Sequence, residues 1–512
     1  MISLLVRRSR SVSADTIHFR DLWGKAKRLQ LIEEAESGAQ PKYHKVDPPL
    51  ELGLPFRPSL VATNYLSWPL LRELFPISFP GVKTSRDELV VDIDRNRLIE
   101  RMKQYFDPDL SDAEIRSIIL TAMTDAARFD ARKTRRYLVQ RGFKPENVVR
   151  YCYRPFDNRW LYWEPETKLL DEKRPDYFPH VFEVNLWIEA RQRQPMERFD
   201  RGYVVSVLAD NFGNGLSSFF PLLLNAESTR KSLFSRQRAQ SALTPNISNT
   251  LGTYLKYIKV EPLDFFLHSV AILHTPSYRR ENGGALRMDW PRIPLPASKE
   301  QLVRSSELGQ QIAKLFDPDN PVAHLTAGTI RPELAAIAVI SRAGSGALNP
   351  DAGDLDVTAG WGHIGIGGAV MPGRGRVIER GYTAQEREGI DAGAPALGLS
   401  KEKAFLLLGT RTLDIYLNNL AYWRNVPIRV WEYTIGGYQV IKKWLSYRER
   451  PILGRSLAID EIHYVTAMAR RIAAILLLEP QLDANYQAIT QSTFPWPRSE
   501  TASADKATPA PR

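Results

Sequence analysis

One cysteine, Cys152, stands in a chain of 512 residues. A single thiol forms no intramolecular disulfide and cannot supply the paired cysteines of a structural zinc site. Long apolar runs are missing as well. None approaches the ~18 residues that span a bilayer, and the longest, Ile472 to Leu478, directly follows Arg470 and Arg471. The opening Met-Ile-Ser-Leu-Leu-Val-Arg-Arg has an apolar run shorter than the ~7–15 residues of a signal-peptide core, and its charge follows the run. These absences lead us to expect a cytoplasmic chain with no membrane contact. No glycine loop ends in Gly-Lys-Ser/Thr, which excludes a P-loop, and no His-Glu-x-x-His occurs. The eight histidines are scattered. His268 and His274 lie too far apart along a helix to share a metal, so no metal site is expected.

What is present describes a folded protein with an anionic partner. Hydrophobic residues make up 43% and charged residues 25%, enough to bury a core. Lys and Arg total 69 against 58 Asp and Glu, a net charge of +11 that favours nucleic acid.

Along the chain, Ile2 to Arg7 and Thr16 to Arg20 read as strands joined by a polar loop, and Asp21 to Ser37 as a helix ended by Gly38. Residues 41–67 are Pro-rich and expected to be irregular. Helices are expected at 69–74, 95–106, 112–123 and 130–140, with a strand at 88–93. From Asn147 to about Leu267, short aromatic and β-branched runs alternate with turn residues, a strand-rich pattern. Helices follow at 263–273, 299–316, 401–420 and 459–478, with a Gly-rich stretch at 343–376. The expected fold class is α+β. Its divisions are 1–45, 46–146 (mostly helical), 147–330 (mixed and strand-rich), 331–497 (a Gly-rich β layer with C-terminal helices) and a disordered tail at 498–512.

Several fragments resemble catalytic motifs without completing them. Gly365-x-Gly367-Gly368 lacks the frame of a dinucleotide fingerprint and reads as a tight turn in a β layer. Val204 to Leu208 followed by Asp210 to Gly215 resembles a strand entering a cofactor loop, but Asn214-Gly215 is also a common hairpin turn. Asp47-Pro48-Pro49-Leu50 lacks the aromatic residue that would stack on a flipped base. Pro175-Asp176…Glu183-Val-Asn185 has a nuclease-like spacing without its lysine.

The positive signal is charge. Between Ser228 and Val260 there is no carboxylate, but there are Arg230, Lys231, Arg236, Arg238, Lys256 and Lys259 among Ser, Thr, Asn and Gln. Lys and Arg neutralise phosphates, while Arg, Asn and Gln can read base edges with paired hydrogen bonds. Further basic stretches run from Arg128 to Arg159, through Arg191, Arg193, Arg198 and Arg201, and through Lys442, Lys443, Arg448, Arg450 and Arg455.

At Tyr153-Arg-Pro-Phe-Asp-Asn-Arg159-Trp-Leu-Tyr-Trp163 the chain resembles the large single-chain restriction–modification proteins of Type ISP and the related Type IIG/IIL enzymes. Four further stretches follow the same pattern in order. They are Phe75-Pro…Gly81-Val-Lys-Thr-Ser-Arg-Asp87, Phe220-Pro-Leu-Leu-Leu224, His274-Thr-Pro-Ser-Tyr-Arg279 with Pro291-Arg-Ile-Pro-Leu-Pro296, and Val426-Pro…Val430-Trp-Glu-Tyr…Gly436-Gly-Tyr-Gln-Val…Lys443-Trp-Leu445. The resemblance implies the DNA target-recognition region that follows an adenine-specific (N6) methyltransferase domain. That domain carries the S-adenosylmethionine loop and the Asn-Pro-Pro-Tyr motif. Residues 2–20 resemble the last strands of its sheet, so the chain is expected to begin after both motifs, as a truncated product or one half of a split enzyme. Double-stranded DNA is the expected partner, together with a separately encoded methyltransferase half. No cofactor is expected on this chain alone.

The DNA-binding candidates are Lys83, Arg86, Arg154, Arg159, Arg191, Arg193, Arg230, Lys231, Arg236, Arg238, Asn246, Asn249, Lys442 and Lys443. For Arg154 and Arg159 a structural role, pairing with Asp157 and packing on Trp160 and Trp163, is equally open. The same caution covers Lys83 and Arg86. The rival readings are a complete methyltransferase using 210–215 for its cofactor, and a non-catalytic module whose basic faces meet an acidic protein.

Overall fold

Runs of a few apolar and β-branched residues, cut short by Pro, Asn and Gly, can make only short strands. The computed structural model is built on such strands, set among longer helices. It describes residues 17–22, 24–38, 42–53, 55, 61–193, 202–211, 217–225, 243–344, 346–365 and 368–497. Strand β1 (Ile17–Phe19) pairs antiparallel with β2 (His44–Val46). Next in the chain come β3 (Phe79–Pro80), β4 (Val91–Asp92), β5 (Val148–Arg154), β6 (Asp157–Tyr162), β7 (Trp187–Arg191), β8 (Tyr203–Val205) and β9 (Leu208–Ala209). After them come β10 (Ser217–Pro221), β11 (Leu223–Asn225) and β12 (Leu243–Pro245). They form a sheet in the order β4-β6-β5-β9, a second in the order β3-β10-β7-β8, and the hairpin β11-β12. The C-terminal part contributes β13 (Val339–Arg342), β14 (Gly362–Ile364), β15 (Val370–Pro372), β16 (Arg376–Arg380), β17 (Thr412–Tyr416) and β18 (Ala421–Pro427). Its sheet runs β13-β18-β17-β16, while β14 and β15 pair with each other, as do β19 (Thr434–Ile435) and β20 (Tyr438–Gln439). The architecture is α+β, as expected.

Helix boundaries follow their caps. Asp94 accepts hydrogen bonds from the first turn of Arg95–Phe106, and Ser298 does the same for Lys299–Phe316. Elsewhere the structure departs from the sequence expectation. The first helix begins at Lys27 rather than Asp21, and β2 falls in the stretch expected to be irregular. The strand-rich region ends earlier than Leu267, because Ser248 caps a helix at Asn249–Ile258 and Pro262–His274 is helical too. The helix expected over 401–420 stops at Leu408. Gly409 has a φ of 103°, and the β-branched Thr412 and Ile415 of the next run lie in β17. The last helix does not stop at Leu478 but spans Ile459–Thr490 through Pro480. An internal proline costs ~3 kcal/mol. Burial of Leu482, Tyr486 and Ile489 beyond it holds that turn against the core. The expected strand at 2–7 and the tail at 498–512 lie outside the described residues. Among the described residues no helix is long and apolar enough to cross a membrane.

Buried apolar side chains from Leu52 to Ile489 form one continuous core. At its centre is the 262–274 helix, in which every residue from Phe265 to His274 is buried. It packs against the 299–316 and 459–490 helices. A polar chain threads this core. Asn485 donates to the Ser305 hydroxyl at 2.9 Å, Ser305 meets His268 Nδ1 at 2.8 Å, and His268 Nε2 meets the Pro294 carbonyl at 2.8 Å. A carbonyl only accepts, so Nε2 carries the ring proton and Nδ1 accepts from Ser305. Burial pushes the His268 pKa down to about 4, partly opposed by the bond to Pro294. The folded state therefore keeps His268 neutral where the unfolded chain, with a pKa of ~6.5, takes up a proton. Its contribution is present above about pH 6.5 and is lost as pH falls toward 4, by about 3 kcal/mol in all. Equilibrium unfolding from pH 7 to 4 should show this slope, and His268→Gln should flatten it. An equal slope in the variant would place the acid sensitivity elsewhere.

Candidate nucleic-acid interface

Strands β5 and β6 are joined by Pro155-Phe156. Pro155 presets the first turn position, and Phe156, with a φ of 59°, takes the left-handed second, the type II pattern. A bulky residue is strained there by about 1–3 kcal/mol. Its surroundings hold it in place. The Phe156 N–H donates to the Tyr203 hydroxyl at 3.0 Å, its carbonyl accepts from the Tyr464 hydroxyl at 2.7 Å, and its ring packs on Tyr203 and Phe316. This turn aims the side chains of Arg154, Asp157 and Arg159.

Asp157, 2% exposed, binds two guanidinium groups. Arg159 reaches Oδ2 through Nη2 at 2.6 Å and Nε at 3.1 Å. Arg448, from the far end of the chain, reaches Oδ1 at 2.7 Å and Oδ2 at 3.1 Å. Burial raises the Asp157 pKa, but the two arginines outweigh it and hold the carboxyl well below the usual range. Around this triad, cations and phenol rings alternate. The Arg159 guanidinium lies 3.9 Å from the Tyr153 ring and 4.3 Å from the Tyr447 ring. Lys443 lies 4.6 Å from Tyr447 and 5.5 Å from Tyr438, and Arg154 lies 4.2 Å from Tyr153. Asp210 accepts from Arg154 and from the Tyr151 hydroxyl, both at 2.8 Å, and Asp87 accepts from the Tyr153 hydroxyl at 2.7 Å and from Thr84. Arg154, Arg159, Lys443 and Arg448 thus face Asp87, Asp157 and Asp210, a surplus of one positive charge. Burial raises the Tyr447 pKa, but Arg154, Lys443 and Arg159 more than offset it, and the group shifts down.

The sequence candidates separate by burial. Arg86 is an internal fastener, stacked 3.4 Å from Phe129 and donating to the Leu169 carbonyl at 2.9 Å. Arg159 packs on tyrosines rather than on Trp160 or Trp163, and Arg154 pairs with Asp210 rather than Asp157. Arg191 is 3% exposed and pairs with Glu189 at 2.9 Å. Asn246 clamps the backbone, accepting from the Ile77 N–H and donating to the carbonyls of Ile77 and Pro221. These side chains serve the interior: they fasten backbone and pair with buried acids. Lys83 is exposed in a 2.8 Å pair with Asp171, which also takes Arg128 at 2.8 Å. Such surface pairs are worth ~0–1 kcal/mol and exchange readily for a phosphate. Arg193 and Asn249 are exposed, and Lys442 and Lys443 are half-buried. Asn249, Thr253, Lys256 and the 70%-exposed Tyr257 form a polar, basic face on the 249–258 helix. Arg230, Lys231, Arg236 and Arg238 lie outside the described residues.

The fragments that resembled catalytic motifs are absorbed into the fold. Asp210 is tied to Tyr151 and Arg154, while Asn214 and Gly215 lie outside the described residues. Leu50 is 72% exposed on a short turn, Asn185 clamps the carbonyls of His180 and Leu223, and Gly365 and Gly368 sit in the β14–β15 turn. The sequence reading missed the tyrosine ladder. Its sequence signal was the adjacency of Tyr153 to Arg154 and of Tyr447 to Arg448, in stretches far apart in the chain.

A family model described as the Type ISP C-terminal specificity domain matches residues 73–345 and 378–474. No curated protein matches. Among solved structures, the chain is similar to a nuclease-deletion mutant of the Type ISP restriction–modification enzyme LlaGI in complex with a DNA substrate mimic. The identity is 15% and the TM-score 0.50, covering 92% of this chain and 39% of that one. A DrdV–DNA complex matches at 15% identity and a TM-score of 0.55, covering 92% of this chain and 43% of that one. The ATP-dependent Type ISP enzyme LlaBIII bound to DNA matches at 16% identity and a TM-score of 0.54, covering 90% and 27%. The chain thus spans less than half the length of each of these structures.

Removing the Asp157 charge should leave Arg159 and Arg448 buried and unpaired, at a cost of about 3–5 kcal/mol. Asp157→Asn should therefore lower the denaturant midpoint sharply. In the wild type, this carboxylate's contribution is present above the unfolded value of ~3.9 and is lost as pH falls below it. A variant as stable as the wild type would remove the triad as a join between the two matched blocks.

Proposed function

Because the chain belongs to the Type ISP C-terminal specificity domains, we propose that it is the part of a restriction–modification system that recognises a DNA sequence. The observation that carries this reading is the convergence of the family stretches. Residues 81–87, 153–159 and 436–448 come together in one cation–tyrosine cluster. The exposed Lys83 and Arg128 and the half-buried Lys442 and Lys443 surround that platform. Phosphate contacts from these cations set register on the duplex, and a few base-edge contacts select the site. Working in the cytoplasm, the domain would supply the binding energy that offsets the few kcal/mol needed to flip an adenine for N6 methylation. In this division of labour, S-adenosylmethionine and the methyl transfer belong to a catalytic domain.

The same reading accounts for the N-terminal unit. The Lys27–Ser37 helix buries none of its residues, and Leu29, Leu31 and Ile32 are 62%, 41% and 41% exposed. A catalytic methyltransferase half covering that face would bury them.

Duplex binding measured by fluorescence anisotropy should weaken linearly in log–log form with salt, by about 0.9 per phosphate neutralised. Lys442→Ala with Lys443→Ala should lower that slope by about 1 for each phosphate the variant no longer neutralises. Selection from a random duplex pool should enrich one motif. Salt-independent binding, or no enrichment, would refute the recognition role. Leu29→Glu with Ile32→Glu should leave the melting of this chain unchanged, because neither side chain is buried, and should abolish co-purification with a co-expressed catalytic half. Undiminished co-purification would rule out that docking face.

A further inference from the structure

Residues 346–377 fall between the two blocks that match the family model, and they carry a surface hairpin with exposed apolar side chains. Strands β14 and β15 form a hairpin with His363 opposite Met371 and Ile364 opposite Val370. Cross-strand partners share a face and successive residues alternate. Ile364 and Met371 therefore lie on opposite faces of the ribbon, and they are 62% and 48% exposed. The root, by contrast, is fixed. Trp361 is fully buried, with its indole N–H donating to the Tyr416 carbonyl at 2.7 Å and its backbone N–H donating to Glu449 at 2.7 Å. Gly362 and Gly375 allow the close fit, since a Cβ on the first would overlap the Ser446 carbonyl and on the second the Trp361 ring. Lys443 of the tyrosine ladder donates to the Val370 carbonyl at 3.4 Å, which places the hairpin beside the proposed interface. Arg374 and Arg376 are exposed just past it. One carboxylate, Glu88, approaches the turn, 3.8 Å from the Cβ position of Gly368, and it accepts from Thr121.

We propose that this hairpin is a wedge that enters a groove of bound duplex DNA and inserts Ile364 or Met371 between base pairs. The proposal rests on the DNA-recognition reading and deepens it. A two-stranded ribbon fits a DNA groove. Apolar side chains such as Ile and Met unstack a base step at a cost of a few kcal/mol, which the bent or unwound duplex repays through wider contact. Apolar groups on both faces suit a blade with a base on either side, and the rigid root transmits the force. The flanking Lys443, Arg374 and Arg376 match phosphates.

The test is unwinding of a closed circular plasmid relaxed by topoisomerase in the presence of the full chain, with bound protein measured by filter binding at the same low salt. The wild type should change the linking number in proportion to the protein bound. Ile364→Ser with Met371→Ser removes two exposed side chains and should reduce unwinding per bound molecule by at least about fivefold, with or without some loss of affinity. Binding without unwinding by the wild type, or equal unwinding by the variant, would overturn the wedge while leaving the recognition role intact. Absence of any DNA binding would refute the recognition reading, and the wedge with it.

Discussion

A carboxylate removed from water must find positive charge or give up its own. Asp157 keeps its charge because two guanidinium groups reach it, one from its own strand and one from Arg448, 291 residues later. The two blocks of sequence that define the family meet at this buried acid, as they also do where β13 pairs with β18 and where Tyr464 bonds Phe156. The rest of the platform is arranged around that acid. The Arg159 guanidinium lies against Tyr153 and Tyr447 while Asp157 holds its Nε and Nη2 edge, and Tyr447 brings Lys443 into the ladder. The strained Phe156 turn beside it persists because Tyr203, Tyr464 and Phe316 hold it from three separate elements. One surplus positive charge remains at the centre of a face with basic residues around it. That surplus suits the proposed contact with a polyanion.

The arginines divide into two populations. Arg86, Arg135, Arg159, Arg191, Arg448 and Arg471 are buried. Several of them tie loops together through backbone carbonyls, as Arg135 does with Tyr105, Asp107 and Leu110. The planar fork of the guanidinium suits this work, because its several donors satisfy carbonyls that no regular element reaches. The net charge of +11 therefore overstates the freely presented positive charge. What is exposed is a sparser set: Lys256 and Arg374 stand on the surface, while Lys83 and Arg128 are exposed but share Asp171.

Much of the local structure could be read from the chain. Asp94 and Ser298 mark helix starts through their own side chains, and the helices they open were expected at the bounds observed. The Arg-Pro-Phe-Asp turn and the ordered stretches pointed to the family. Other features needed tertiary information. Nothing local distinguishes a helix that ends at Leu478 from one driven through Pro480 by Tyr486 and Ile489 packing into the core. Charge runs gave the density of cations and not their direction. Arg191 is buried because both faces of its strand are covered and Glu189 pairs with it, Asn246 because it clamps backbone, while Lys443 gains its importance from tyrosines in other stretches. The partner of Asp157 was the least visible, since no spacing rule links residue 157 to residue 448.

That separation also sets a clock on the ribosome. At roughly 5–20 residues per second, Asp157 emerges about 15–60 s before Arg448 can answer it. Throughout that interval the nascent chain holds two members of the ion triad, Asp157 and Arg159, and an unfinished tyrosine stack. The platform is complete only after Arg448 has been made, so the polypeptide acquires this face 291 residues after the acid that anchors it.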